Sequence, residues 1–487
     1  MRELTLAFNR GKKAGYLDIA DALRGCIRTG QLRKGEALPS TRELARRLRV
    51  HRHTVMAAVG ELVAEGWITA AVRRAYRVNE TLPSKFFEAA AQGGAERARG
   101  VHRWRLVRSA GTGLTPPPAS PARYAFKSGI ADLRLFPHQE FKSCLNDSLK
   151  LSRLRVLDYG DPAGHPPLIE ALKTYLRRVR AVSGKEIVIT HGSQEGIFLA
   201  AQLLLKPGDA VAVESLGYSP AWDALKAAGA ELVPVGVDSG GMDPDSLAKV
   251  LRGRRVRLIY TTPLHQYPTT TTLSIPRRMR LYELASRFGV PILEDDYDHE
   301  FHYRSQPLPP LASRDPEGLV IYVSTFSKVL FPSARIGFMA VPAELAAALA
   351  GYRRIVTRQN ATLLQDTVAR WMNSGGFERH LRKMRRAYEG RMETLVSCLE
   401  AGKASGLPLS WAAPDGGMAI WADTGLDSVR AAELALRRGV YVHPGANYRL
   451  DRKPDTHLRL GFANQSPGEI EQGATLLFDA LRSKTKT

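Results

Sequence analysis

The chain is short of cysteine, of long apolar runs and of negative charge, and each shortage removes a class of protein. Only three cysteines occur in 487 residues, Cys26, Cys144 and Cys398. Odd in number, far apart and without paired spacing, they form neither a disulfide framework nor a zinc site. No window approaches the roughly 18 uninterrupted apolar residues of a membrane span, and the first twenty residues lack the apolar core of a secretory signal. A cytoplasmic protein with no membrane partner is expected. No stretch of the sequence repeats itself, which sets aside solenoids and propellers. Acidic residues number 48 against 70 Lys and Arg, leaving a net charge of +22, a field that favours polyanionic partners. Hydrophobic residues make up 44%, enough for a sizeable core in two or three domains.

The basic charge is concentrated at the start, where residues 1–80 hold 16 Lys and Arg against 8 Asp and Glu. There Leu17, Ile19, Ala20, Leu23 and Ile27 recur at helical spacing over Tyr16–Thr29, and Gly30 with Lys34-Gly35 marks a turn. Ser40 and Glu43 have capping-box spacing, so a second helix is expected to start there and run through Leu48. A third opens with His51-Arg52-His53-Thr54-Val55, and Val55, Ala58, Val59, Leu62 and Val63 form its buried stripe. Two short helices joined by a tight turn fit a helix-turn-helix. Arg52, His53 and Thr54 then project from the recognition helix toward base edges and phosphates, with Arg42 on the DNA backbone. Trp67–Thr69 and Tyr76–Val78 read as strands bracketing a wing.

This segment resembles the winged-helix DNA-binding domain of the GntR superfamily, through LPSTRELARRLRVHRHTV and the EGWI that follows. Two positions depart from that pattern. His51 stands where serine is usual, and the wing segment Ala71-Val72-Arg73-Arg74-Ala75 has none of the usual glycines. The partner implied is a double-stranded DNA operator with two half-sites. Residues 1–79 are assigned to this domain and 80–122 to a linker, on the strength of Gly93-Gly94, Gly111-Thr112-Gly113 and the proline-rich Thr115–Pro121.

From residue 123 onward, apolar runs alternate with helical stretches: Glu186–Thr190, Ala210–Glu214, Glu231–Val235, Val256–Tyr260, Val290–Leu293 and Leu319–Ser324. That alternation predicts an α/β domain with a mainly parallel sheet, whose ligands lie at the carboxyl ends of the strands. Two junctions carry chemistry. Ser324-Thr325-Phe326-Ser327-Lys328 frames a lysine with small hydroxyls and is followed by Arg335, which suits a covalently held phosphorylated cofactor, pyridoxal phosphate on Lys328. Ile292-Leu293-Glu294-Asp295-Asp296-Tyr297 ends a strand in acids and a phenol that can tune a pyridine ring. At a third, His191-Gly192-Ser193-Gln194 could open a helix whose free amides bind a phosphate. Asp296, Asp298, His299 and Glu300 crowd one turn, but no metal is expected there.

Residues 123–483 resemble the fold-type-I aminotransferase superfamily, and the two-domain order resembles that of MocR/GabR-like transcriptional regulators. The resemblance implies a smaller α+β C-terminal subdomain beside the main sheet. It also implies Lys328 as the Schiff-base lysine, Asp295 pairing with the pyridine nitrogen and Tyr297 bonding the ring hydroxyl. Arg335, Thr325, Ser193 and the backbone at Gly192 and Gln194 then hold the phosphate, and Tyr218 stacks on the ring. Tyr159 looks like the family tyrosine that reaches the neighbouring subunit's phosphate, implying a homodimer. Arg459 in Leu458-Arg459-Leu460-Gly461 looks like the arginine that grips a carboxylate, implying an amino-acid or amine effector. Thr270 replaces a family glycine, which is expected to shift its loop, and Pro220 stands where the GABA-sensing member carries a second arginine, so GABA is not the expected effector. His265 and His443 face the ligand or the solvent. The leading reading is a DNA-binding regulator whose cofactor senses an amine through an imine. The others are a working aminotransferase with a DNA-binding appendage, and a cofactor-free scaffold.

Overall fold

The computed structural model describes residues 15–70, 75–82, 122–304 and 308–483, distributed over two compact units, 1–108 and 109–487. Most of the expected linker and wing residues Ala71–Arg74 lie outside the described residues. Among the described residues, no helix is long and apolar enough to cross a membrane.

In the first unit, α1 (Tyr16–Arg28), α2 (Thr41–Leu48) and α3 (Arg52–Ala64) are followed by β1 (Ile68–Thr69) and β2 (Arg77–Val78), which pair antiparallel. Ile19, Leu23, Leu44, Val55, Leu62 and Trp67 meet in one core, the apolar faces that the helical spacing requires. Arg49 takes the left-handed conformation (φ 53°) that stops α2 and leaves two residues before α3. The capping box is only half formed. Ser40 Oγ accepts from the Glu43 amide at 3.2 Å, but the Glu43 carboxylate turns to Arg46 at 2.7 Å and Arg47 at 2.6 Å. Two guanidinium partners one turn on compete better for it than a single backbone amide.

In the second unit, β3 (Tyr124–Ala125) precedes β4 (Glu186–Thr190), β5 (Ala210–Glu214), β6 (Glu231–Val235), a small ribbon of β7 (Val237–Asp238) and β8 (Gly241–Met242), then β9 (Val256–Thr261), β10 (Ile292–Asp296), β11 (Val320–Thr325) and β12 (Gly337–Val341). Seven of these form the main sheet in the order β4-β12-β11-β10-β9-β5-β6. All pairs are parallel except those of β12, which runs against both neighbours. All six expected strands are present. The seventh strand, β12, has no counterpart among the six expected; its apolar residues begin two positions after Arg335. β10 also extends further than expected, because Glu294, Asp295 and Asp296 are all buried and remain in the ladder. A smaller subdomain follows, in which β13 (Ser410–Trp411), β14 (Ala419–Asp423), β17 (His457–Gly461) and β16 (His443–Pro444) form an antiparallel sheet in that order. Helices Gly376–Ala404 and Pro467–Arg482 pack together there, and β15 (Val440–Tyr441) pairs with β3.

The reversed strand brings the turn before it against the end of β4. Gly337 pairs with Thr190 on one side and Thr325 on the other. A Cβ at Gly337 would lie 2.6 Å from the Gly192 carbonyl carbon and 2.8 Å from the Ser324 oxygen, backbone atoms that cannot rotate away. Gly337→Ala is therefore expected to lower stability by about 1–3 kcal/mol or more, measured as a urea midpoint. Gly351→Ala, in a helix with nothing within 4 Å of the new Cβ, is the control and is expected to be neutral or stabilising by up to about 1 kcal/mol.

Candidate functional site

Parallel strands expose their last carbonyls and the residues that follow them along one edge of the sheet, and the candidate residues of the second unit gather there. β4 delivers Gly192, β5 Tyr218, β10 Asp295 and Tyr297, and β11 Thr325 and Lys328. The Lys328 ammonium donates to the Gly129 carbonyl at 2.8 Å, where a Cβ on Gly129 would approach Nζ to 3.0 Å. Gly129 has φ +66°, so only glycine fits easily on both counts. Burial presses the Lys328 pKa down to about 8; Asp298 opposes that shift and Arg459 adds to it.

Asp295 is 3% exposed. Its Oδ2 accepts from the Tyr260 hydroxyl at 2.9 Å, and its Oδ1 has no partner among the described residues. Burial raises its pKa to about 7, against the Tyr260 hydrogen bond and with help from Asp296. A buried carboxylate oxygen without a donor is costly, and the N–H of a protonated pyridine would satisfy it. Tyr260 was not singled out from the sequence. The sheet register brings it there: Leu293 pairs with Tyr260, and Asp295, two residues along, shares that face of the sheet. The Tyr297 hydroxyl donates to the His265 carbonyl at 3.0 Å and keeps its oxygen lone pairs.

An anion cradle lies beside the lysine. Gly192, with φ +80°, opens the helix Ser193–Leu204 without a side-chain cap, so the first amides of that helix favour negative charge. The Arg335 guanidinium donates to the His191 carbonyl at 2.5 Å, and a Cβ on Gly192 would lie 3.0 Å from it. Thr325 and Ser327 share a 2.9 Å hydroxyl bond, which makes Ser327 a further candidate in the cradle. Gln194 turns its amide to the Pro220 carbonyl at 2.7 Å. This donor set fits a phosphate ester.

On the other side stands an aromatic wall. The Tyr267 ring packs edge-on against Tyr218, Tyr297 and Tyr448, and Arg459 lies over it, 4.2 Å from guanidinium carbon to ring centroid. Arg459 is buried, donates through Nε to the Pro268 carbonyl at 3.0 Å and leaves Nη1 without a partner among the described residues, a donor that suits an organic anion. Thr270 adopts the left-handed conformation, φ +63°, that glycine favours. The loop holds this shape with threonine in place, through the Thr270 amide bonding the Gln266 carbonyl at 2.7 Å.

Of the two histidines, one is buried and the other partly so. His265 is buried, with Nδ1 2.7 Å from Asp298 Oδ1. His443 is partly buried on β16, opposite Arg459, and burial followed by the Arg459 charge lowers its pKa to about 4. The acidic turn is engaged within the protein. Asp296 is 2.8 Å from His299 Nδ1 and accepts from Tyr322 at 2.6 Å, while Glu300 pairs with Arg180. Burial would raise the Asp296 pKa, but His299 and Arg180 hold it below the usual carboxylate range.

Tyr159 is 72% exposed, with the Arg358 guanidinium 4.4 Å over its ring. In the first unit, Arg42, Arg52 and His53 are exposed and Thr54 partly so, around the α2–α3 turn. Arg52 Nε donates to Thr41 Oγ1 at 3.3 Å, which links the two helices of the motif.

Residues 136–477 match the family model for aminotransferase class I and II, and residues 15–78 match that for bacterial regulatory proteins of the gntR family. The chain is similar to the HTH-type transcriptional regulator TauR of Rhodobacter capsulatus, 34% identical over 94% of each chain. It is also similar to the probable rhizopine catabolism regulatory protein MocR of Rhizobium meliloti, 31% identical over 96% of this chain and 93% of that one. Among solved structures, the kynurenine aminotransferase of Pyrococcus horikoshii superposes with a TM-score of 0.71 at 29% identity, covering 76% of this chain and 93% of that one.

The raised Asp295 pKa sets a pH dependence. Between the ordinary carboxylate value near 4 and about 7, the folded state binds more protons than the unfolded one, so stability falls as pH rises through that window, by at most about 1.4 kcal/mol per unit. Asp295→Asn removes this contribution. Urea midpoints at pH 4.5 and 7.5, without added cofactor, are expected to fall less with rising pH in the variant than in the wild type. Equal falls would contradict the assignment.

Proposed function

The chain belongs to the class I and II aminotransferase family and carries a gntR-family DNA-binding region, the arrangement of MocR-type transcriptional regulators; on that premise we propose that pyridoxal phosphate at Lys328 lets an amine-bearing effector control its DNA binding. The observation that carries the proposal is the free buried Oδ1 of Asp295 on the same sheet edge as Lys328. The aminotransferase class I and II fold implies dependence on pyridoxal phosphate. When bound, the cofactor supplies a carbonyl carbon for amines and a cationic ring that withdraws electrons.

The chain's own groups have separable tasks in this reading. Lys328, with its pKa lowered to about 8, has an appreciable neutral fraction near pH 7.5, which a nucleophilic amine requires. Asp295 holds the proton on the ring nitrogen. Tyr297 bonds the ring hydroxyl, and Tyr218 covers the ring. Arg335, Thr325, Ser193 and the amides at Gly192 and Gln194 fix the phosphate. Arg459 offers Nη1 to the carboxylate or other anionic end of the effector, which orients the effector's amine toward the cofactor. Pro220 supplies no second cation, so an effector with one anionic group suits the pocket. A working aminotransferase is the second reading, favoured by the intact set of Lys328, Asp295 and Arg459.

The reading includes a homodimer in the cytoplasm. Leu151 is 84% and Ile355 82% exposed, near-complete exposure for large apolar side chains, and Leu154, Leu157 and Tyr159 add to the apolar surface of the Leu151–Tyr159 segment. Such exposed apolar surface supports burial against a second copy, and Tyr159 would then reach the neighbour's phosphate. In the first unit, Arg52, His53 and Thr54 read base edges and phosphates of each half-site, and Arg42 binds the backbone.

The test is binding of a duplex selected by the chain itself from random sequence, with pyridoxal phosphate and a panel of amino acids and amines. One amine is expected to change the affinity of the wild type and to have no effect on Lys328→Ala. An effect that survives in Lys328→Ala would overturn the sensing proposal. Arg52→Ala is expected to weaken DNA binding by about tenfold or more while leaving the cofactor's absorption unchanged; unaltered affinity at matched salt would refute the recognition-helix assignment. Sedimentation should show a dimer that Leu151→Glu with Leu154→Glu splits, and a monomeric wild type would contradict the shared site.

A further inference from the structure

Three titratable side chains, Asp298, His265 and His302, stand in a row that supplies none of the cofactor contacts. Asp298 lies in the turn after β10, and its Oδ1 is 2.7 Å from Nδ1 of His265 in the loop after β9. His265 Nε2 is in turn 3.4 Å from His302 Nδ1, and the two imidazoles stack at 5.6 Å with 13° between their planes. Asp298 and His265 are both 1% exposed. The neighbouring backbone fits closely around them: a Cβ on Gly416 would come within 2.6 Å of His265 Nε2, and His302 bridges to Gly416.

The second carboxylate oxygen of Asp298 is the atom in need of an explanation. It is buried and has no donor among the described residues, and the missing side chain of Gly417, whose Cβ would lie 3.4 Å away, leaves room beside it. Such an atom costs free energy in the folded chain. The charge of Asp298 acts on two cations, Lys328 and Arg459. Burial lowers the Lys328 pKa, and of the acids that oppose this shift Asp298 acts more strongly than Asp295. Asp295 is committed to the ring nitrogen, which leaves Asp298 as the acid that serves the amine. The phenols of Tyr297 and Tyr303 lie in the same field, and burial followed by the Asp298 charge keeps both protonated, so neither competes with it for a proton.

An amine effector arrives as an ammonium ion, and its nitrogen becomes a nucleophile only after a proton leaves. We propose that Asp298, oriented by His265, accepts that proton. The effector's N–H bond breaks as an O–H bond forms at Asp298 Oδ2, leaving a neutral amine and a neutral carboxyl. Lys328, set free as a neutral amine, takes the proton from Oδ2 and becomes an ammonium. The carboxylate is restored, and no outside acid, base or oxidant is consumed. His265 is a positioning residue: its Nδ1–H donates to Oδ1 and keeps Oδ2 turned away from the imidazole, while the stacked His302 fixes the plane of the ring. The proposal rests on the reading of Lys328 as the residue that holds the cofactor.

The test uses the full chain loaded with pyridoxal phosphate and two probes: methylamine, an ammonium ion at neutral pH, and hydroxylamine, which is neutral there and needs no base. Capture of each is followed through the cofactor's absorption. In Asp298→Asn the ratio of the methylamine rate to the hydroxylamine rate is expected to fall about a hundredfold relative to the wild type, and the methylamine rate to rise more steeply with pH. His265→Ala is expected to lower the ratio as well, and His265→Asn, whose amide keeps a donor toward Oδ1, to restore part of it. A second measurement needs no cofactor. Trace acetylation of the free chain across pH, read by peptide mass at Lys328, is expected to show a midpoint lower by about one unit in Asp298→Asn. An unchanged ratio in either Asp298→Asn or His265→Ala, or a Lys328 midpoint that does not move, would overturn the proposal. Should Asp298→Asn fail to load cofactor, His265→Ala and the acetylation midpoint decide the matter. A wild type that loads no cofactor at Lys328 would instead sink the reading on which the proposal rests.

Discussion

The aminotransferase unit is organised around a carboxylate and an amine that are withdrawn from water and not satisfied by the protein alone. Asp295 accepts one hydrogen bond, from Tyr260, and its other oxygen has no donor among the described residues. Lys328 rests on a backbone carbonyl and holds its proton weakly. Burying such groups costs free energy unless they are paired, and a fold that retains the cost leaves room for a ligand able to repay it. Arg459, with its unpartnered Nη1, extends the same logic to a second ligand. The pocket is a set of unfilled valences on a rigid edge.

The sheet supplies the rigidity. Four strand ends, those of β4, β5, β10 and β11, converge on the pocket because these strands run in the same direction, and β12 alone runs backwards. That reversal lets the turn containing Arg335 lie over Gly192, so that one anion cradle draws on residues more than 140 positions apart. Gly337 is glycine because a Cβ there would meet the Gly192 and Ser324 backbone, and Gly192 because of its positive φ and the Arg335 guanidinium beside it. Thr270 and Arg335 take the left-handed region without being glycine. Backbone strain at a loop bordering Arg459 and Tyr267 fits a segment whose shape is set by the ligand pocket more than by its own preference.

How much of this could be read from the chain depended on the distance over which the information is encoded. Lys328 between small hydroxyls, the acids that close β10 and the three helices of the first unit are local patterns, and the sequence displays them. Tyr260 beneath Asp295 and Gly129 beneath Lys328 are contacts across 35 and 199 positions, with no local signature. The half-made cap at Ser40 failed for a related reason: spacing predicted the geometry, but not the competition from Arg46 and Arg47. His265 and Asp298 were legible as titratable residues and illegible as a buried pair, because pairing requires the loop after β9 to fold onto the turn after β10.

The central claim is that Lys328, among all the lysines of the chain, is the one that captures the cofactor. It is tested most directly by borohydride reduction of the full chain after incubation with pyridoxal phosphate, followed by peptide mass mapping. The account predicts a single fixed cofactor per chain on the peptide containing Lys328. A label spread over surface lysines, or concentrated on a different one, would contradict it.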